Sequence, residues 1–340
     1  MKTGSICLFP RLEHTGGPSS FQRKLIICLQ QKGIEVHFDP QRQDVAAILV
    51  VGGSSHLAQL AFAKKRNIRI VQRLDGMNWL HKKTRTGIKH YLRAEWNNHV
   101  LSTIRRTYAD AIVYQSDFTR NWWDQVYDKA PVEDTVIHNG ADLTIFSPIG
   151  NGTPPADRMR IMVVEGSFYG GHERDLWNAV GFAKGMAEIS GKHIELVIAS
   201  RAPQRMLAAL PAYENVSIRW LGIVPLTDIP ELDRSAHIFF PAEINAACPN
   251  TVIEAMGCGL PVVSFATGSL PELVQGDAGR VVPYGADYWS LEPPDFKPLC
   301  EAGLEVYQAQ SKFRSAARKR AEARFDMHAM AEKYLKILIP

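Results

Sequence analysis

The sequence predicts an α/β protein built from two doubly wound halves, and three observations carry that reading. Uninterrupted apolar runs of strand length alternate with stretches of helical spacing along the whole chain. Strands that are apolar on both faces need cover on both faces, which is the condition of a parallel sheet between helices. The alternation breaks once, at residues 147–155, where three prolines and two glycines fall within nine positions, and then restarts. A length of 340 residues suits two domains at roughly 150 residues each.

The elements follow in order. Residues 5–9 make a short apolar strand. Over 19–31, Phe21, Leu25, Ile26 and Leu29 recur at helical spacing, and Gly33 closes the helix. Residues 34–38 alternate as a strand. The longest apolar run is 45–51; seven residues span a buried strand, whereas a membrane needs about 20. A helix is expected at 56–65, strands at 68–72, 111–115 and 135–138, a long helix at 87–106 and a shorter one at 117–127. Beyond the linker, strands are expected at 160–164, 194–199, 216–220, 237–240, 262–265 and 280–282. Helices are expected at 173–189, 204–210, 229–234, 250–258 and 299–324, with a last helical stretch at 327–339. The domains are then 1–148 and 149–326, with 327–340 packing back on the first. Ligands of such sheets bind beyond the carboxyl ends of the strands, here in the cleft between the halves.

Composition narrows the class. Apolar residues make up 46% and charged residues 22%, values that exclude wholesale disorder. Residues 1–150 carry 20 Lys and Arg against 13 Asp and Glu, a net of +7, while 151–340 carry 19 against 22, a net of −3. The positive charge concentrates at Lys64, Lys65, Arg66, Arg69 and Arg73, then at Lys82, Lys83, Arg85, Lys89 and Arg93. It is either a solvated face or an attractor of phosphates and acidic lipid. The five cysteines are widely spaced with no Cys-x-x-Cys, so neither a disulfide framework nor a zinc site is expected. The apolar stretch closed by Pro10 is too short for a secretory leader, and the expected compartment is the cytoplasm.

Missing motifs exclude several chemistries. Gly257-Cys258-Gly259-Leu260-Pro261-Val262 lacks the third glycine of a dinucleotide loop, and neither a phosphate-loop lysine motif nor a Gly-x-Ser-x-Gly elbow occurs. No Asp-x-Asp pair is present to hold a divalent ion against a diphosphate, so no metal cofactor is expected. Backbone amides and basic side chains remain for that task. Gly16 and Gly17 precede a helix start with Pro18, where free N–H groups and the positive dipole end suit a phosphate. Gly166, Ser167, Gly170 and Gly171 occupy the corresponding place in the second half, followed by His172 and Arg174.

The densest signal is Cys248-Pro249-Asn250-Thr251-Val252-Ile253-Glu254-Ala255-Met256. Pro249 opens a helix whose first amides, near Asn250 and Thr251, suit an anion, and Glu254 suits the two hydroxyls of a ribose. Thr251 and Glu254 also fit a capping box that needs no ligand. With Gly257-Cys258-Gly259-Leu260-Pro261-Val262-Val263 and Gly268-Ser269-Leu270-Pro271-Glu272-Leu273, this segment resembles the donor site of family-4 glycosyltransferases. The segments 114–119, 136–142 and 221–236 resemble that family in the same order.

The resemblance implies the GT-B architecture of two Rossmann-like domains. It also implies metal-independent transfer from a nucleotide-diphosphate sugar to an acceptor hydroxyl, with retention of configuration. Carried over, Gly16 and Gly17 face the diphosphate, Asn250 and Thr251 hold phosphate or sugar, Glu254 binds ribose and Val224 lies near the base. Arg73 and Asp75 stand on the acceptor side, with Asp75 orienting a hydroxyl or simply forming a turn before Gly76.

Two departures are visible. The acidic residue usual eight positions before the ribose glutamate is Ala246, and the usual Arg/Lys pair is missing from 166–174. Either His172, Arg174 or Arg201 supplies the cation for the leaving diphosphate, or the chain is a nucleotide-sugar-binding pseudoenzyme. The expected partners are a nucleotide sugar and a glycan or lipid-linked acceptor, with peripheral contact at the inner membrane face through the basic half, and no nucleic acid.

Overall fold

A computed structural model describes residues 4–13 and 16–340. The first three residues of the segment weighed as a leader, and His14 and Thr15 of the first glycine loop, lie outside it. The chain forms two units, one of Met1–Lys82, Thr86–Gly140 and Phe325–Pro340, the other of Lys83–Arg85 and Ala141–Arg324.

The first unit is built from β1 (Ser5–Phe9), α1 (Gly17–Gln31), β2 (Val36–His37), β3 (Val45–Val51), α2 (Leu57–Lys65), β4 (Arg69–Leu74), α3 (Ile88–Thr103), β5 (Ala111–Tyr114), α4 (Asp117–Tyr127) and β6 (Glu133–Val136). Its six strands are ordered β2-β1-β3-β4-β5-β6 and every pair is parallel. The all-apolar strands are explained by their two faces. Ile6, Leu8, Ala47 and Leu49 face Phe21, Leu25 and Leu29 of α1, while Cys7, Phe9, Ile48 and Val50 face Leu60 and Ala63 of α2 and Val100 of α3. α3 runs into a single wide turn, Ile104–Tyr108, so the expected helix to residue 106 ends its regular part early.

The second unit contains β7 (Met159–Ser167), α5 (Glu173–Ser190), β8 (Ile194–Arg201), α6 (Gln204–Ala208), β9 (Val216–Gly222), α7 (Ile229–Arg234), β10 (Ile238–Phe239), α8 (Asn250–Gly257), β11 (Val262–Phe265), α9 (Leu270–Leu273), β12 (Gly279–Val282), α10 (Phe296–Gln308) and α11 (Gln310–Arg324). Its sheet is ordered β12-β11-β10-β7-β8-β9, again parallel throughout. The single helix expected over 299–324 is two helices. Ala309 (φ −116°, ψ 39°) breaks it, and Gln310 at the break donates to the carbonyl of His237 beside the sheet.

The closing helix, α12 (Met327–Leu338), belongs to the first unit and packs on α1. The Cys28 thiol donates to Met327 O, Lys32 pairs with Glu332 at 3.0 Å, and the rings of Phe21 and Tyr334 lie 5.0 Å apart. Gly140 is required there, since a Cβ would lie 2.6 Å from Met327 Cα.

In both sheets the first strand is an interior strand and the strand order reverses beside it. In the second unit the reversal falls between β7 and β10. At such a switch point the connections leaving the carboxyl ends of neighbouring strands run to opposite faces and leave a crevice, so the residues just after β7 and β10 are where a ligand site is expected.

Candidate functional site

Four titratable side chains, those of Glu165, His172, Asp175 and Glu243, meet at that point of the second unit. Glu165, near the end of β7, accepts from the backbone N–H groups of Ala242 (2.9 Å) and Glu243 (3.2 Å), the residues that follow β10. His172 caps α5, and its Nδ1 lies 2.8 Å from Oδ2 of Asp175 in the first turn. Asp175 is buried and also accepts from the backbone of Ile244. The loop after β10 is therefore fastened to β7 and α5 by two carboxylates. Asn245 follows in the left-handed region (φ 62°), and its buried amide has no hydrogen-bond partner among the described residues.

Burial and mutual repulsion set the charges. Burial, then the charges of Glu243 and Asp175, push Glu165 up to about 8, so it holds a proton at neutral pH. Burial pushes Asp175 up to about 6, against the pull of His172. Burial disfavours the charged form of His172, but the hydrogen bond to Asp175 and the carboxylates of Glu243, Asp175 and Glu165 outweigh it and raise the imidazole to about 9. At neutral pH the cluster thus holds a fixed imidazolium. Arg174, half-buried and one position before Asp175, carries no ion pair among the described residues. Two cations, one wired and one unpaired, stand at the first turn of α5.

The other residues expected to bind a donor fall on the same ends of the sheet. Gly166 and Ser167 end β7, and Ser167 is in register with Arg201 at the end of β8. Val224 lies half-buried in the turn after β9. α8 opens at Asn250 behind Pro249 with no side-chain cap. Thr251 is therefore inside the helix and the capping box is not formed. Glu254 is buried on the next turn. Asp233 of α7 is also fully buried, with neither carboxylate oxygen paired among the described residues; burial and then the charge of Glu254 hold its pKa well above the ordinary value.

In the first unit, Gly16 precedes α1 without a side-chain cap and Gly17 is its first residue. Arg73 does not present its guanidinium to a ligand: it is fully buried at 3.9 Å from the Phe21 ring, donating to Asp75 (2.6 Å) and Asn139 (2.9 Å). Gln115 donates to the same oxygen of Asp75. The acidic group so fixed is part of a cavity of about 410 Å³, with Gly52, Gly53, Ser54, Asn78, Trp96 and Asn97 among its walls. Asp75 is thus a member of a hydrogen-bonded network, not a turn residue alone.

Residues 168–289, wholly within the second unit, match the family described as glycosyl transferases group 1. This stretch is similar to group 1 glycosyltransferases. Two curated relatives agree. O-antigen chain mannosyltransferase B of Escherichia coli is 45% identical over 64 residues, covering 19% of this chain and 16% of its own. One component of the phosphatidylinositol N-acetylglucosaminyltransferase of Homo sapiens is 28% identical over 184 residues, covering 52% of this chain and 34% of its own. The match thus spans about a third or less of these relatives' lengths. Among solved structures, sucrose-phosphate synthase of Thermosynechococcus elongatus superposes with a TM-score of 0.73 at 16% identity, covering 98% of both chains. WaaG, a glycosyltransferase of lipopolysaccharide biosynthesis, gives 0.67 at 14% identity, covering 98% of this chain and 99% of its own. The fold is GT-B.

In the second unit, sequence reasoning missed Glu165 and Asp175. A signal for each was present. Glu165 is the charged residue that ends an apolar strand just before a glycine, and Asp175 stands three positions after His172, one helical turn away.

Proposed function

We propose that the chain is a retaining glycosyltransferase that moves a sugar from a nucleoside-diphosphate sugar to an acceptor hydroxyl without a bound metal. The observation that carries this reading is the cationic first turn of α5, where Asp175 keeps His172 charged and Arg174 stands unpaired, inside the segment that matches group 1 glycosyltransferases. These two groups stand where the usual Arg/Lys pair is missing. Developing charge on a departing diphosphate needs fixed positive groups, and each such contact is worth about 3 kcal/mol in an excluded site.

The first amides of α8, at Asn250 and Thr251, and those of Gly166 and Ser167 hold phosphate oxygens, with Arg201 beside them. Glu254 accepts the ribose hydroxyls and Val224 lies against the base. In the first unit, Gly16 and Gly17 offer amides to phosphate and Asp75 orients the acceptor. The bond between the anomeric carbon and the diphosphate oxygen breaks, the acceptor oxygen takes its place on the same face, and the leaving phosphate oxygen receives the acceptor's proton. No protein carboxylate has to act as nucleophile. Glu165, protonated at neutral pH and holding two amides, is unsuited to that role.

The test is transfer from UDP-glucose, UDP-N-acetylglucosamine and GDP-mannose to monosaccharide and glycolipid acceptors, with and without EDTA. The expected product keeps the donor's anomeric configuration by NMR, at a rate indifferent to EDTA. An inverted product, an EDTA-sensitive rate, or nucleotide binding with neither transfer nor donor hydrolysis overturns the proposal.

A further inference from the structure

We infer that the outer face of α3 docks on a bilayer carrying anionic phospholipids. Ile88 is 80% exposed, Leu92 63%, Trp96 59% and Tyr91 42%. At 100° per residue the four share one face of the helix, an arc of about 140°. Large apolar side chains scattered singly need no explanation, but four on one helical stripe do. Two are aromatic with a polar atom at the tip, the kind of side chain that sits at a headgroup boundary.

Charge selects the occupant. Lys89 and Arg93 border the stripe on one side, and neither has an ion pair among the described residues. With Thr86, Gly87, Ile88 and His90 they line a hollow of about 550 Å³ at the first turn of α3. The one carboxylate on the stripe, Glu95, is taken up by His81 (2.7 Å) and Lys82 (3.0 Å). An apolar stripe edged by free cations fits acyl chains below and phosphates at the rim. A second copy of the chain fits badly, because a two-fold contact through this face brings like charges together. Trp96 also lines the cavity that contains Asp75, so a docked chain presents that cavity to molecules held in the bilayer surface. That consequence rests on the proposed function; the docking does not.

The experiment is co-sedimentation of the full chain with vesicles of phosphatidylcholine, with and without phosphatidylglycerol. Binding to the mixed vesicles is expected, weakening with added salt, and little binding to phosphatidylcholine alone. Lys89→Gln with Arg93→Gln should lower the partition coefficient about thirty-fold, roughly five-fold per cation removed. Ile88→Ser with Leu92→Ser should lower it at least ten-fold, since both side chains leave the bilayer. All four positions are exposed, and unchanged melting and nucleotide binding would show that the fold and the donor site survive. Absence of binding to mixed vesicles, or equal binding by both double variants, overturns the inference. So does a concentration-dependent dimer that Ile88→Ser with Leu92→Ser dissolves, which would assign the face to a second copy.

Discussion

Asp175→Asn separates the electrostatic role of the α5 turn from its structural role. His172 is displaced from 6.5 to about 9 and Asp175 from 3.8 to about 6. At about 1.4 kcal/mol per pH unit, each displacement corresponds to about 3 kcal/mol, and at neutral pH the two oppose one another. The fold favours charged His172 and disfavours charged Asp175. Removing the carboxylate removes both effects, so stability near neutral pH should change by no more than about 1 kcal/mol. The imidazole, left with burial and the more distant carboxylates, should fall from about 9 toward 6.5 or below.

The pH dependence follows from the signs. His172 binds its proton more tightly when folded, so its contribution is complete below pH 6.5 and is lost as pH rises through about 9. Asp175 also binds its proton more tightly when folded, and its contribution is lost as pH rises from 3.8 through about 6. Parent stability from this pair should therefore decline across that whole span, and the variant's curve should be flatter. Urea unfolding across that range measures this, NMR of the imidazole resonances follows His172 directly, and donor turnover at neutral pH should fall roughly a hundredfold. Unchanged turnover with the imidazole shown to be neutral would refute the reasoning, and so would an imidazole that still titrates near 9.

Glu254→Gln should weaken nucleoside diphosphate binding by about 1–3 kcal/mol by calorimetry, with the melting temperature held, and equal affinity would remove the ribose role. Arg174→Gln should lower kcat by about 10²–10³ while KM changes little, because its charge matters most as the diphosphate leaves; a KM effect alone would make it a binding residue. Asp75→Ala should strip the buried Arg73 guanidinium of its carboxylate and cost about 3 kcal/mol, roughly 10 °C in the melting temperature of the first unit. An unchanged melting temperature would mean that Asn139 alone satisfies Arg73.

The fold was legible because its local signals agree with one another. β3, α4, α7 and β11 match the expected bounds, since each is an apolar run or helical pattern closed by a clear stop. The break at Ala309 was not legible. No glycine or proline marks it, and its cause is the packing of Gln310 against the carbonyl of His237, a long-range contact. α9 was missed because four residues containing Pro271 carry no periodicity. The candidate loops of the second unit were read from glycines and from the helix opening at Pro249. Their wiring was hidden, because Glu165, Asp175 and the loop after β10 are separated by up to 78 positions and meet only when β7 and β10 lie side by side. Arg73 read as an acceptor-side cation, and only the position of Phe21 shows that it points inward.

A crystal of the chain grown with an unreactive analogue of its donor tests most directly the claim that protein nitrogens, in place of a divalent ion, grip the diphosphate. The expected map places phosphate oxygens within hydrogen-bond distance of the Arg174 guanidinium and the first amides of α8, with the charged His172 ring beside them. A diphosphate bound through a divalent ion, or lying away from the first turns of α5 and α8, would contradict it.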